Sequence, residues 1–113
     1  MDDIIKRALL FDFYGELLTE HQQKIYGAAV CDDLSLSELS EEEGVSRQGI
    51  HDIIKRCDRI LSTYEEKLGL VDKFCRIKEK ISKIDGIIEN ETKLSKAVKN
   101  EIRNDLKEII GEL

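Results

Sequence analysis

Seven residues between positions 46 and 59 have the side chains needed to grip a polyanion: Ser46, Arg47, Gln48, His51, Lys55, Arg56 and Arg59. An arginine can bridge O6 and N7 of guanine, and a glutamine can pair with N6 and N7 of adenine. Arg47, Gln48 and His51 stand where a recognition helix meets base edges, with Asp52 and Lys55 one turn further on. Arg56 and Arg59 lie beyond them, at positions suited to phosphates. Ser46, together with the open amides at a helix start, can also hold a phosphate. Gly49 permits close approach by a backbone or a neighbouring helix, at a cost of about 1 kcal/mol in helix propensity.

The charge of the chain works against a simple duplex-coating role. Its 113 residues carry a formal net charge of −6. Residues 1–69 hold 8 basic and 15 acidic side chains, net −7, whereas residues 70–113 hold 10 and 9, net +1. A protein that coats DNA is expected to be basic overall, so any nucleic-acid contact here must be local. From Ser46 to Ile60 four basic residues face two acidic ones, Asp52 and Asp58, for a local +2. Just before them comes an acidic face of Glu38, Glu41, Glu42 and Glu43, which would repel a backbone unless it points away. The same basic residues also fit a second reading, ordinary surface charges on a scaffold.

The elements that must position these residues read as helices. There is no proline, hydrophobic residues make up 41% and charged residues 37%, a composition that suits a foldable all-α chain. A first helix is predicted from about Asp3 to Leu17, its broad apolar face including Ile4, Ile5, Leu9, Leu10 and Phe13. Thr19 and Gln22 have the spacing of a capping box. They open a second helix with Ile25 and Tyr26 inward, ending near Asp32-Asp33. Ser35 and Glu38 form another such pair, opening a short third helix with Leu36, Leu39 and Ser40 inward and Glu41, Glu42 and Glu43 outward. Gly44 falls where a helix end needs a left-handed residue, and Val45 should turn into the core. Ser46 caps a long fourth helix whose inward face is Ile50, Ile53, Ile54, Cys57, Ile60, Leu61, Tyr64 and Leu68, ending near Gly69. This is the order of a helix-turn-helix.

From Leu70 the pattern narrows to a seam of Leu70, Phe74, Ile77, Ile81, Ile84 and Ile88 at alternating steps of four and three. Asn90 to Thr92 interrupts it, and Thr92 or Ser95 can cap a last helix striped by Leu94, Val98, Ile102, Leu106, Ile109 and Leu113. Two arrangements fit: a helical hairpin packed on the main domain, or a dimerisation arm. The division expected is a helix-turn-helix domain over 1–69 and a C-terminal helical extension over 70–113.

Other chemistries find little footing. His21 and His51 lack an acid–nucleophile pattern, and Glu41 to Glu43 read as a solvated face. There is no phosphate-cradling glycine loop. Cys31, Cys57 and Cys75 are too widely spaced for a zinc or disulfide framework and read as core or near-core thiols of a cytoplasmic protein. The N-terminal stretch reads as the first helix, not a signal peptide, and no run approaches the length of a membrane span. The expectation is a protein that is not an enzyme, with no cofactor, no metal and no membrane insertion.

The block from Ile4 to Leu70 resembles the YlxM family of bacterial helix-turn-helix proteins. The resemblance rests on Phe11-Tyr14-Leu17-Leu18-Thr19, Ser35-Leu36-Ser37-Glu38-Leu39, Gly44-Val45-Ser46-Arg47-Gln48, Ile54-Lys55-Arg56 and Tyr64-Glu65-Glu66-Lys67-Leu68. Gly49 stands where that family usually has alanine, and His51 where it has an aromatic residue. The resemblance implies a bundle like the promoter-reading domain of sigma factors. It also implies a regulatory or adapter role in the signal recognition particle pathway, with that particle's RNA or its GTPase as partner. DNA, read by a sequence-specific and dimeric regulator, is the alternative.

Overall fold

The computed structural model describes residues 3–113; Met1 and Asp2 of the N-terminal stretch lie outside the described residues. The described chain is helical throughout: α1 (Asp3–Tyr14), a 3-10 turn (Gly15–Leu17), α2 (Glu20–Val30), α3 (Leu36–Glu43), α4 (Arg47–Leu68), α5 (Leu70–Asn90) and α6 (Lys96–Gly111). It divides into two compact units, one running up to Val71 and the other spanning Asp72–Leu113.

In the first unit α1, α2 and α3 each pack on α4. Helix ends are set by local chemistry. The hydroxyl of Thr19 accepts from the Gln22 amide while the Gln22 side chain accepts from the Thr19 amide, a complete capping box. Ser35 caps α3 through the Glu38 amide at 3.1 Å, but Glu38 makes no return bond. The predicted second capping box is therefore half formed: the Glu38 carboxylate is exposed and does not return to the Ser35 amide. Ser95, and not Thr92, caps α6. Gly44 and Gly69 take left-handed φ of 64° and 62° at the ends of α3 and α4, a conformation that is free of side-chain clash only for glycine.

The core under the helix-turn-helix is Ile25 from α2, Leu39 from α3 and Ile50 from α4, all essentially inaccessible, with Val45, Ile53 and Ile54 packed around them. Further along α4, Cys57 and Leu61 continue the seam and are fully buried. Three apolar positions read as inward are half or more exposed: Ile4, Ile5 and Leu68. They sit at helix termini, where the apolar periodicity continues past the last neighbour it could pack against. Glu43 departs the other way. Its side chain is only 10% exposed and pairs with Lys24 at 3.1 Å on α2, with His21 at 3.8 Å. The acidic face of α3 is thus Glu38, Glu41 and Glu42.

Two polar clusters join distant parts of this unit. Asp58 on α4 accepts from Arg7 at 2.7 Å and from the Tyr26 hydroxyl at 2.6 Å. Glu65 accepts from the Tyr14 hydroxyl at 2.6 Å and from the Val71 amide at 3.0 Å, and the Leu70 amide donates to the same Tyr14 oxygen. Glu65 and Tyr14 together satisfy amides that the start of α5 would otherwise leave open.

The cysteines differ from one another. Cys57 is buried, Cys75 intermediate and Cys31 exposed, so the core reading fails for Cys31, which lies just past the end of α2. Burial pushes the Cys57 thiol up to about 11, with Asp58 adding to the rise. The folded state therefore favours the protonated thiol. That contribution is complete below the unfolded thiol value of about 8.5 and fades as pH rises toward 11. Thermal melts from pH 7 to 11 should show a decline above about pH 9 that is shallower in Cys57→Ala; equal slopes would refute the assignment. At neutral pH a thiol reagent should modify Cys31 in the native protein and reach Cys57 only after unfolding.

In the second unit α5 and α6 run antiparallel, joined by residues 91–95. Arg103 on α6 pairs with Asp85 at 3.0 Å and with Glu89, and the Lys99 ammonium donates to the Glu89 carbonyl at 3.2 Å. Among the described residues between Asp72 and Leu113, Ile88 is the one buried hydrophobic residue. Ile84, Ile87, Val98, Ile109 and Leu113 are 40% or more exposed.

Candidate nucleic-acid interface

The turn between α3 and α4 is closed by short-range bonds. The amides of Gly44 and Val45 both reach the Ser40 carbonyl, and the Ser40 hydroxyl donates to the Val45 carbonyl at 2.5 Å. This aims Val45 at the core and starts α4 at Arg47. Ser46 caps α4, its hydroxyl oxygen accepting from the Gly49 amide at 3.0 Å. Its oxygen thus accepts for the helix while its O–H proton stays available to a phosphate. Gly49 does admit a close neighbour, but the neighbour is Val45 of the turn and not another backbone: a β-carbon at Gly49 would lie 2.6 Å from its Cγ1.

All seven candidate residues are exposed and lie on one helix with its cap. They form two groups. The head of α4 carries Arg47, Gln48 and His51. The Gln48 amide donates to Asp52 at 2.9 Å, and His51 Nδ1 lies 3.8 Å from the same carboxylate. Asp52 therefore sits within the surface that would read bases and engages two of its three readers. The second group, Lys55, Arg56 and Arg59, lies on the next two turns. Among the described residues none of these three has a carboxylate within 4.0 Å; the nearby Asp58 is turned to Arg7. Lys55, Arg56 and Arg59 line one open cleft with Asp52 and Ile53.

Arg56 and Arg59 also line a larger groove of about 510 Å³, together with Ile60, Thr63, Tyr64 and Lys67. The sequence reading missed Thr63 and Lys67 as site residues. The available signal was their spacing: Arg56, Arg59, Thr63 and Lys67 follow at steps of three and four, which places them along one side of a helix. Among the described residues no cluster of three His, Cys, Asp or Glu side chains has metal-binding geometry, and no helix is long and apolar enough to cross a membrane.

A short acidic helix, a glycine turn and a longer helix with an exposed basic flank, closed over one apolar core, define a helix-turn-helix protein. The chain belongs to the UPF0122 family (Putative helix-turn-helix protein, YlxM / p13 like), which matches residues 1–101. It is 48% identical over 83 residues to the UPF0122 protein of Caldanaerobacter subterraneus subsp. tengcongensis, covering 74% of this chain and 71% of that one. A UPF0122 protein of Clostridium botulinum strain Alaska E43 is 49% identical over 80 residues, 71% of this chain and 72% of that one. The similarity to the UPF0122 protein of Clostridium novyi strain NT runs nearly end to end, 45% over 111 residues, 96% and 93% of the two chains.

Proposed function

We propose that this protein is a cytoplasmic regulatory adapter of the signal recognition particle pathway, and that it contacts the particle's RNA through the basic flank of α4. The observation that carries this reading is the set Lys55, Arg56 and Arg59, which has no carboxylate partner among the described residues and is concentrated on one exposed strip of an acidic chain. A net charge of −6 disfavours long-range attraction to any duplex. A local strip avoids that problem if the partner is a compact RNA met at one place. The tied-back Gln48 and the carboxylate of Asp52 reduce what the α4 head can read in a DNA major groove. A-form RNA does not ask for such reading, because its major groove is too deep and narrow for side chains.

The test is binding of the full chain to labelled signal recognition particle RNA beside a DNA duplex of similar size, each at two salt concentrations. Preference for the RNA is expected, weakening with salt. Arg59→Ala and Lys55→Ala should each cost roughly 1 kcal/mol, about fivefold in affinity. Binding to DNA alone would replace this reading with a transcription regulator. Binding to neither would overturn the RNA contact and turn the search to the particle's GTPase. We place a proposed pairing of two copies on the hairpin, where Ile84, Ile87 and Ile109 stay exposed. Ile87→Asp should then convert a dimer to a monomer in sedimentation.

A further inference from the structure

We infer that the groove beyond the helix-turn-helix, walled by Arg56, Arg59 and Lys67, is an RNA backbone clamp. In this clamp three cations hold phosphates and Thr63 selects ribose. The inference rests on the RNA reading above and adds to it where the strand lies and what distinguishes it from DNA.

Three observations carry it. The first is charge. The groove is lined by three cations and no carboxylate, whereas the cleft nearer the α4 head includes Asp52. Among the described residues Arg56, Arg59 and Lys67 have no ion-pair partner. Lys67 belongs to the Tyr64–Leu68 stretch, and its neighbours have structural contacts. Tyr64 stacks on Tyr14 with ring centroids 6.0 Å apart, and Glu65 holds Tyr14 and the Val71 amide. Lys67 makes no such contact, so packing does not account for it.

The second is length. Arg56 and Lys67 are eleven residues apart on one helix, a separation of roughly 16 Å at the α-helical rise. A single small anion would leave most of that length unused, whereas a phosphodiester chain supplies charges repeatedly along it. The third is the middle of the groove. The Thr63 hydroxyl donates its proton to the Arg59 carbonyl at 2.8 Å. Its oxygen is therefore left as an acceptor between cations. An acceptor gains nothing from a phosphate oxygen, but it takes a proton from a ribose 2′-hydroxyl, the group that tells RNA from DNA. Ile60 and Tyr64 supply apolar surface beside it.

The experiment uses the full chain, signal recognition particle RNA, a fluorescein-labelled RNA hairpin of unrelated sequence and the DNA version of that hairpin. Lys67→Ala is expected to weaken both RNAs at least threefold. It should also reduce the slope of log affinity against log salt by about 0.7–0.9, the signature of one lost phosphate contact. Lys67→Glu should weaken both at least tenfold. Thr63→Val is expected to leave the salt slope unchanged and shrink the preference for RNA over DNA. Arg47→Ala should change affinity less than twofold. These residues are exposed, and helical circular dichroism confirms folding of each variant. Loss of RNA binding in Arg47→Ala with no change in Lys67→Glu would overturn the clamp and leave the RNA-adapter reading standing. A wild-type chain that binds no RNA would overturn both readings. Displacement of the RNA by polyglutamate with the same dependence on Lys67 would give the groove to an acidic protein and also overturn the clamp.

Discussion

Asp58→Ala is expected to lower the stability of the folded chain by about 1–4 kcal/mol. Two consequences add. Tyr26 is fully buried, and its hydroxyl has Asp58 as acceptor. Removing that acceptor strands a buried donor, which costs about 1–3 kcal/mol. The pair with Arg7 is also lost, but Arg7 is 41% exposed and water takes over most of that role, so this part is at most about 1 kcal/mol. The melting midpoint should fall by roughly 4–30 °C, at about 4–8 °C per kcal/mol for a domain of this size. Tyr26→Phe isolates the first consequence. It removes the donor itself and should cost only about 1 kcal/mol. Introduced together with Tyr26→Phe, Asp58→Ala should become milder by at least about 1 kcal/mol. A melt within about 3 °C of wild type for Asp58→Ala would show that the hydroxyl finds another partner. The substitution bears on function as well. With Asp58 turned to Arg7, the acid beside Arg59 is neutralised internally and leaves the local charge there to Lys55, Arg56 and Arg59.

Much of the fold was legible because helix ends are governed by local chemistry. The Thr19–Gln22 box, the Ser46 cap and the two left-handed glycines need only residues three or four apart. The inward face of α4 was legible for the same reason, since one helix repeats a single spacing over five turns. What failed depended on neighbours that spacing cannot reveal. Glu43 turns inward because Lys24 and His21 of α2 lie beside it, and no local pattern announces a cation some twenty positions back. Ile4, Ile5 and Leu68 continue an apolar rhythm past the end of the packed layer. The contacts of Asp58 with Arg7 and of Glu65 with Tyr14 each span 51 positions. A carboxylate so placed looks in the sequence like any solvated surface charge.

The candidate site divides in the same way. That Arg47, Gln48, Lys55, Arg56 and Arg59 share one exposed helix follows from the turn signature and the helical period. That Gln48 is tied to Asp52 while Arg56 opens into a groove with Lys67 does not, because it depends on which carboxylates are already engaged. The sequence counts Asp52 and Asp58 alike, as one negative charge each. In the fold Asp58 is engaged by Arg7 and Tyr26, and Asp52 faces outward among the supposed base readers. This asymmetry moves the usable positive charge from the head of α4 toward its C-terminal half.

Ile50→Ala should be still more damaging than Asp58→Ala, at about 2–5 kcal/mol. Ile50 is completely inaccessible and meets Ile25 of α2 and Leu39 of α3 in the centre of the helix-turn-helix. Alanine removes three carbons there, and surrounding helices fixed by the Ser40–Val45 turn and the Ser46 cap cannot collapse fully into the space. A unit of about 70 residues has a total stability of only about 4–10 kcal/mol, so the loss should remove a large share of it and lower the melting midpoint by roughly 8–40 °C. Ile50→Val should cost only about 0.5–1.5 kcal/mol. If Ile50→Ala melts within a few degrees of wild type, the cluster does not hold the three helices together as described. The same variant also separates the two ends of α4. Ile50 belongs to the same first turns of α4 as Arg47 and Gln48, whereas the turns that carry Arg56 to Lys67 are anchored by Cys57 and Leu61. At 10 °C, with helical content verified as intact, a loosened head should leave RNA affinity within about twofold if the strand lies along the C-terminal groove. A tenfold loss under those conditions would put the binding energy at the head instead.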